Sequence, residues 1–453
     1  MICENISVSR DGSHLLFAGQ DTVSLAQEYG TPLYLMDEER IRSRCRTYKA
    51  AFARNFGPGS VPLYASKANC FKRMYQIMQE EGMGIDVVSS GEIYTALQAG
   101  FDLSKAYFHS NNKTDWDVAY AMDNYYINPT GRFVIWDVAY AMDNHVGYFV
   151  ADNAEEIKAV EREAGKRNFR QQVLLRLTPG IDPHTYEAIS TGKVDSKFGV
   201  AIETGQASDL VGFVLKQPHV ELCGFHCHVG SQVFAEDVFE RAAVKMLDFI
   251  AEMKRKYGYE ARQLDLGGGY GVRYVESDPH LDIDVKVDEV ARTIHSTCER
   301  LGIREPEIHM EPGRSIVADA GMVLYTVGTV KTIPGYKSYV SIDGGMGDSP
   351  RYALYKAKYT LYAANKMAEP CDFKASVVGR CCESGDIIQE GVMLPSSIHR
   401  GDIIALCTTG AYHYSMASNY NRLPRPATVM LSGGTSYVAV RRESLEDLVR
   451  NDL

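Results

Sequence analysis

The sequence predicts an α/β chain: a parallel (β/α)8 barrel with a second, all-β C-terminal domain to which the N-terminal segment contributes. Three observations predict it. Between residues 61 and 311, eight short apolar runs alternate with amphipathic stretches whose apolar residues recur at helical spacing. Each run ends in a polar, charged or glycine residue. After residue 314 the texture turns to short β-rich segments separated by turns.

Taken in order, the barrel strands are VPLYAS before Lys67, GIDVV from Gly84, AYFH from Ala106, VGYFV from Val146, VLLRL from Val173, LCGFHCHV from Leu222, QLDL from Gln263 and EIHME from Glu307. Segments such as DVFERAAVKMLDFIAEMKRKYG supply the intervening helices. A barrel brings the C-terminal ends of all its strands to one mouth. Those ends carry Lys67, Asp86, the His109–Asn111–Asn112 cluster, Asp152, Arg176, His228, the Gly267–Gly268–Gly269 run and Glu311. Any one of them also reads as a polar cap on a helix, the better reading for a single Asp or Asn; eight together on one face point to a site. The β domain is expected from MVLYTVGTV, SYVSID, KASVVG, IIALC, ATVML and SYVAV. The expected division is therefore 1–35 joining the β domain, 36–314 forming the barrel, and 315–453 forming the C-terminal β domain. WDVAYAMDN occurs at 116–124 and again at 136–144, within a duplicated stretch (116–144) read as an extra rim segment without chemistry.

With 453 residues, 45% hydrophobic and 23% charged, the chain has the composition of a globular protein of two domains. A net charge of −10 and the lack of a basic run argue against nucleic acid or an anionic membrane as partner. No stretch approaches the roughly 20 apolar residues that cross a bilayer, and the N-terminus lacks a signal-peptide layout. A cytoplasmic location is expected. Ten cysteines form no CxxC pair, so no structural zinc is expected and reduced thiols are.

Several of these residues suit a particular chemistry. Lys67, in YASKANC, follows an apolar strand into the mouth, where partial desolvation favours the neutral amine that condenses with an aldehyde; a surface lysine is the plain alternative. The triple glycine after the seventh strand and the EPGR turn (Glu311, Pro312, Gly313, Arg314) after the eighth fall where barrels build phosphate sites from bare amides. They also read as tight turns. A carboxylate at Glu311 suits keeping a pyridine nitrogen protonated, and Arg314 suits a bidentate grip on a carboxylate; a surface Glu–Arg pair competes. In HCHVGSQ, His228 is placed against an aromatic cofactor ring with Ser231 as a nearby donor. His226 and His228 are read as facing opposite ways, hence as poor joint ligands, and no metal is expected. RCCESGD groups Cys382 as a proton donor, Glu383 as an acceptor for an ammonium, and Asp386. GAYHYSMASNYN offers Tyr412 as a phosphate or substrate contact, or as a core tyrosine.

PLYLMDEERI, YASKAN, HSNNK, HTYEAISTGKVDSKFG, HVGSQ, DLGGGYG, EPGR, CESGD and GAYHYSMASNYN occur in this order across nearly the whole chain. Jointly they resemble the fold-type III pyridoxal-phosphate-dependent decarboxylases, and within them the branch that decarboxylates diaminopimelate. The resemblance implies pyridoxal 5'-phosphate as cofactor, held by Lys67, stacked on by His228 and met at its ring nitrogen by Glu311. It implies a phosphate grip by the glycine run, the EPGR turn and Tyr412. Substrate contacts would come from Arg314, Arg351, Tyr355, Glu383 and Tyr412. It further implies a head-to-tail homodimer in which Cys382 of one subunit completes the other's site. The stretch at Arg351 departs from the pattern: RYALY lacks the proline that commonly follows the arginine. The duplicated WDVAYAMDN is a second departure.

The expected activity is thus decarboxylation of meso-2,6-diaminopimelate to L-lysine and carbon dioxide, with Cys382 reprotonating the α-carbon. A decarboxylase of ornithine, lysine or arginine is the near alternative, although it would want an acidic rather than a cationic group for the distal end. A non-catalytic cofactor carrier or regulatory pseudoenzyme is the distant one, and it would be expected to have lost Lys67 or Cys382.

Overall fold

The computed structural model describes residues 1–123, 126–127, 133–134, 146–182 and 195–453. The chain forms two compact units. One comprises Met1–Arg44, Val272–His280 and Arg314–Leu453; the other comprises Cys45–Gly271 and Leu281–Gly313.

The second unit is the barrel. Its strands are β1 (Val61–Ala65), β2 (Gly84–Val87), β3 (Ala106–Phe108), β4 (Tyr148–Ala151), β5 (Gln171–Thr178), β6 (Val220–His226), β7 (Gln263–Asp265) and β8 (Glu307–Met310). Each pairs in parallel with the next, and β8 pairs with β1 to close the ring. Strands buried on both faces read as apolar runs instead of alternating ones, which is why all eight are legible in the sequence. Leu63, Tyr107, Val150, Leu174 and Cys223, one each from β1 and β3 to β6, pack together as a core cluster. Helices Val238–Tyr257 and Ile283–Leu301 bury their apolar faces and end at Gly258 and Gly302, both left-handed, where a side chain would be strained. They pack against one another.

The first unit is a sheet of mainly antiparallel strands. Leu33–Asp37 pairs antiparallel with the start of Gly321–Thr332 and parallel with Ala427–Ser432, so the N-terminal segment lies inside this sheet. Gly321–Thr332 also pairs with Ser338–Ile342 and Ile403–Cys407. Leu15, Phe17, Leu33, Leu35, Leu324 and Val429 belong to its core. Two of its strands, Leu361–Ala363 and Ile387–Leu394, were not expected from the sequence. In the second, Glu390 and Gly391 break the apolar run where the strand is exposed. The RYALY stretch is a short helix, Arg351–Tyr355, begun after Pro350: the proline sits before the arginine instead of after it.

The first WDVAYAMDN copy falls largely in helix Asp115–Asp123, where the exposed Trp116 stacks on Tyr120. The second copy, at 136–144, lies outside the described residues, as does most of HTYEAISTGKVDSKFG. Among the described residues, no helix is long and apolar enough to cross a membrane.

Candidate active site

Within the barrel unit, the strand ends assemble a cluster of ionisable groups. Lys67 stands on a short 3-10 turn directly after β1, with its Nζ 3.5 Å from Asp86 Oδ2 at the end of β2. The lysine side chain is 42% exposed and Asp86 only 1%, so the amine is reachable from the mouth while its counter-charge is sealed beneath it. Burial pushes Glu92, close to both, up to about 7. At the ends of β3 and β4, Lys113 is fully enclosed; it pairs with Glu156 and donates to the Val150 carbonyl at 2.8 Å. Asp152 accepts the Gly199 amide at 2.9 Å, and Arg176 lies 3.9 Å from its other oxygen with the guanidinium over Phe198.

Glu311, one residue past β8, is 4% exposed. His109 Nε2 lies 2.7 Å from its Oε1, and His226 Nε2 lies 3.3 Å from its Oε2. The His109 contact is short but poorly angled, leaving that nitrogen and Oε1 without an aligned hydrogen bond. Asp265 completes a group of four whose donor atoms fall within 4.8 Å of one another. This corrects the expectation about the two histidines of HCHVGSQ. Residues two apart on a strand return to the same face; what separates these two is that β6 ends at His226 and the chain turns. His226 meets Glu311, whereas the half-buried His228 uses Nδ1 to accept the Gly268 amide at 3.3 Å. Burial, followed by the charge of Lys67, holds His228 well below the usual imidazole range, so its ring is neutral.

The triple glycine is required by packing. A Cβ on Gly268 would meet the Glu311 carbonyl oxygen at 2.0 Å, and one on Gly269 would meet that of Gly230 at 2.0 Å. The Gly267 amide is donated to Asp265 Oδ1 at 2.8 Å and that of Gly268 to His228. The Gly269 amide has no partner among the described residues. Pro312 and Gly313 are buried, and Gly313 packs against Ala65 and Ala68 on the turn that carries Lys67. Ser231 is half-buried beside this loop.

The β unit holds a second constellation. Arg314 and Arg351 are 5% and 7% exposed, so the surface Glu–Arg pair that competed for Glu311 and Arg314 does not form. Both guanidinium groups lie over the Tyr412 ring, at 4.8 Å and 5.2 Å. Tyr412 is itself held at φ 63°, a strained value for a bulky residue. Arg314 donates to the Tyr274 hydroxyl at 2.7 Å and Arg351 to that of Tyr359 at 2.8 Å; Tyr355 lies 5.3 Å from the Arg351 guanidinium. Among the described residues Arg351 forms no ion pair. Tyr274 and Tyr359 were missed in the sequence, where the aromatic-rich stretches GYGVRY and YKAKYTLY were the available signal. Cys382 and Glu383 are exposed on the loop after strand Phe373–Val378, with the Cys382 amide donating to Asn421 at 2.7 Å. Asp386 is buried instead, accepting the Met346 and Cys381 amides at 2.6 Å and 2.7 Å; it braces the loop.

The residues present fit pyridoxal phosphate. Glu311 offers a buried carboxylate oxygen without an aligned partner, Lys67 a reachable amine, and Gly269 a bare amide with no room for a side chain.

Comparison with known proteins places this arrangement. The model of the pyridoxal-dependent decarboxylase family, pyridoxal binding domain, matches residues 38–129 and 135–318. The chain is 41% identical to the diaminopimelate decarboxylase of Bacillus subtilis over 453 residues, covering 100% of this chain and 98% of that protein. It is 42% identical to that of Staphylococcus aureus, over 97% of each. A crystal structure of diaminopimelate decarboxylase from m. jannaschii in co-complex with L-lysine superposes with a TM-score of 0.88 at 30% identity, covering 100% of this chain and 98% of that one. The chain therefore belongs to the pyridoxal-dependent decarboxylases and, within them, to the diaminopimelate decarboxylase family.

Proposed function

We propose that the chain uses pyridoxal 5'-phosphate to decarboxylate meso-2,6-diaminopimelate to L-lysine and carbon dioxide. The cofactor, when bound, supplies an electron sink for the pair left at the α-carbon as carbon dioxide departs. Lys67 would hold it through the ε-amine, which stands reachable from the barrel mouth. Glu311, as a carboxylate, would meet the ring nitrogen, and the neutral His228 would lie against the ring. The Gly269 amide, the EPGR turn and Tyr412 would hold the phosphate, with Gly268 setting the loop and Ser231 as a further donor.

Arg314 and Arg351 take the distal carboxylate, Tyr355 and Tyr412 wall it, and Glu383 accepts the distal ammonium. Cys382 Sγ returns a proton to the α-carbon. The working form is a homodimer in which Cys382 of one subunit serves the other's barrel, in keeping with its exposure on a single chain. The same reading assigns the chain to the cytoplasm.

One observation carries the substrate choice. Arg351 is buried with no carboxylate partner among the described residues, and a buried cation without a counter-charge is costly unless a ligand provides one. A substrate with two carboxylates provides it; lysine and ornithine do not. Turnover of diaminopimelate, lysine and ornithine by the purified enzyme tests this. Diaminopimelate should lead in kcat/KM by about two orders of magnitude or more, the scale of one unsatisfied charge-assisted contact. Faster turnover of lysine or ornithine would overturn the assignment.

A further inference from the structure

Glu311 stands at the meeting point of three other strand ends. His109 follows β3, His226 ends β6 and Asp265 ends β7; with Glu311 these four side chains are 0–4% exposed. The imidazoles are divided between the carboxylate oxygens, His109 Nε2 at 2.7 Å from Oε1 and His226 Nε2 at 3.3 Å from Oε2. The two rings also meet edge to face, with centroids 4.7 Å apart at 70°. A lone buried carboxylate has neither fixed direction nor assured charge. This one has an imidazole nitrogen beside each of its two oxygens.

We propose that His109, working with His226, is a positioning residue that fixes the orientation and negative charge of Glu311 and so lets that carboxylate engage the cofactor's ring nitrogen. The inference rests on the reading of Glu311 as the partner of that nitrogen.

The charge balance of the cluster supports it. Burial by itself would raise Glu311, but the two imidazoles outweigh burial and hold it well below the usual carboxylate range. Burial, then the charge of Glu311, holds Asp265 well above that range, so Asp265 keeps its proton. Burial takes His226 down to about 3, leaving a neutral ring whose N–H can be donated. One negative charge thus settles on Glu311 and is not shared with Asp265. Asp86, whose Oδ1 lies 3.8 Å from His109 Nε2, is the other carboxylate that faces the pair.

The test is cofactor affinity, not turnover. The full-length chain, stripped of cofactor by dialysis, is titrated with pyridoxal phosphate and with its 1-deaza analogue, in which CH replaces the ring nitrogen. The wild type should prefer pyridoxal phosphate. His109→Phe should lower affinity for pyridoxal phosphate about tenfold while leaving the analogue unchanged, which removes the preference. His109→Gln, which keeps an N–H, should restore most of it. Glu311→Gln is the reference. If it retains the wild-type preference, the Glu311 reading itself fails. If it loses the preference while His109→Phe retains it, Glu311 stands and the role of His109 is overturned. Equal weakening of both ligands by His109→Phe would also overturn it, because that is the signature of lost packing. Should His109→Phe not fold, His109→Met is read by the same criteria.

Discussion

Arg351 and Asp348 lie three residues apart, and each makes a prediction of its own. Arg351→Met keeps bulk over Tyr412 and removes only the charge. Losing a charge-assisted grip on a carboxylate costs about 2–3 kcal/mol, so kcat/KM for diaminopimelate should fall roughly a hundredfold, mostly through KM. A KM that does not move would place the distal carboxylate elsewhere. Asp348 is fully enclosed: its Oδ1 accepts the Gly345 amide at 2.7 Å and its Oδ2 has no partner among the described residues. Burial pushes its carboxyl up to about 7. Between about pH 4 and 7 the folded protein holds a proton that the unfolded chain has released, so its contribution is fully present below the unfolded value and is lost as pH rises through about 7. Asp348→Asn removes the titration and should raise Tm more at pH 8 than at pH 5. An equal shift at both values would show that Asp348 does not titrate in this range. The residue types at the site were readable in advance. What each touches was not, since Arg314 was expected from EPGR but its contact with Tyr274 joins residues 40 positions apart.

At the scale of elements, all eight barrel strands were legible because burial on both faces leaves an uninterrupted apolar run. The half-exposed strand Ile387–Leu394 carries no such signal. The glycine run shows how an element can be recognised while its physics is misread. Read as a cradle of bare amides, it is first a close packing of the loop after β7 against the loops after β6 and β8. Gly268→Ala would press a Cβ to 2.0 Å from the Glu311 carbonyl oxygen. A destabilisation of about 2–4 kcal/mol is expected, together with weaker cofactor binding. Thermal denaturation and cofactor titration of the variant check both, and an unchanged Tm would show that the loop yields freely.

For the whole molecule, the test is whether two chains share their sites. Lys67→Ala and Cys382→Ala should each be nearly inactive alone, Cys382→Ala by about 10²–10⁴-fold if the thiol is the proton donor. Mixed and allowed to exchange subunits, they should recover up to about a quarter of wild-type activity, the share of sites that draw both intact residues in a symmetric dimer. No recovery on verified exchange would place Cys382 in its own chain's site. Apolar periodicity and turn residues act over a few neighbours, so the barrel, the mainly β unit and the inventory of reactive side chains can be read from the amino-acid order alone. Only the tertiary structure decided that Glu311 sits between two imidazoles, that Gly267 and Gly268 have already donated their amides, and that two buried arginines share one tyrosine. Apart from the Gly267 amide, given to Asp265 two residues back, those facts depend on closure of the ring and pairing across the sheet, which bring together groups 40 to 202 residues apart and which no local pattern records.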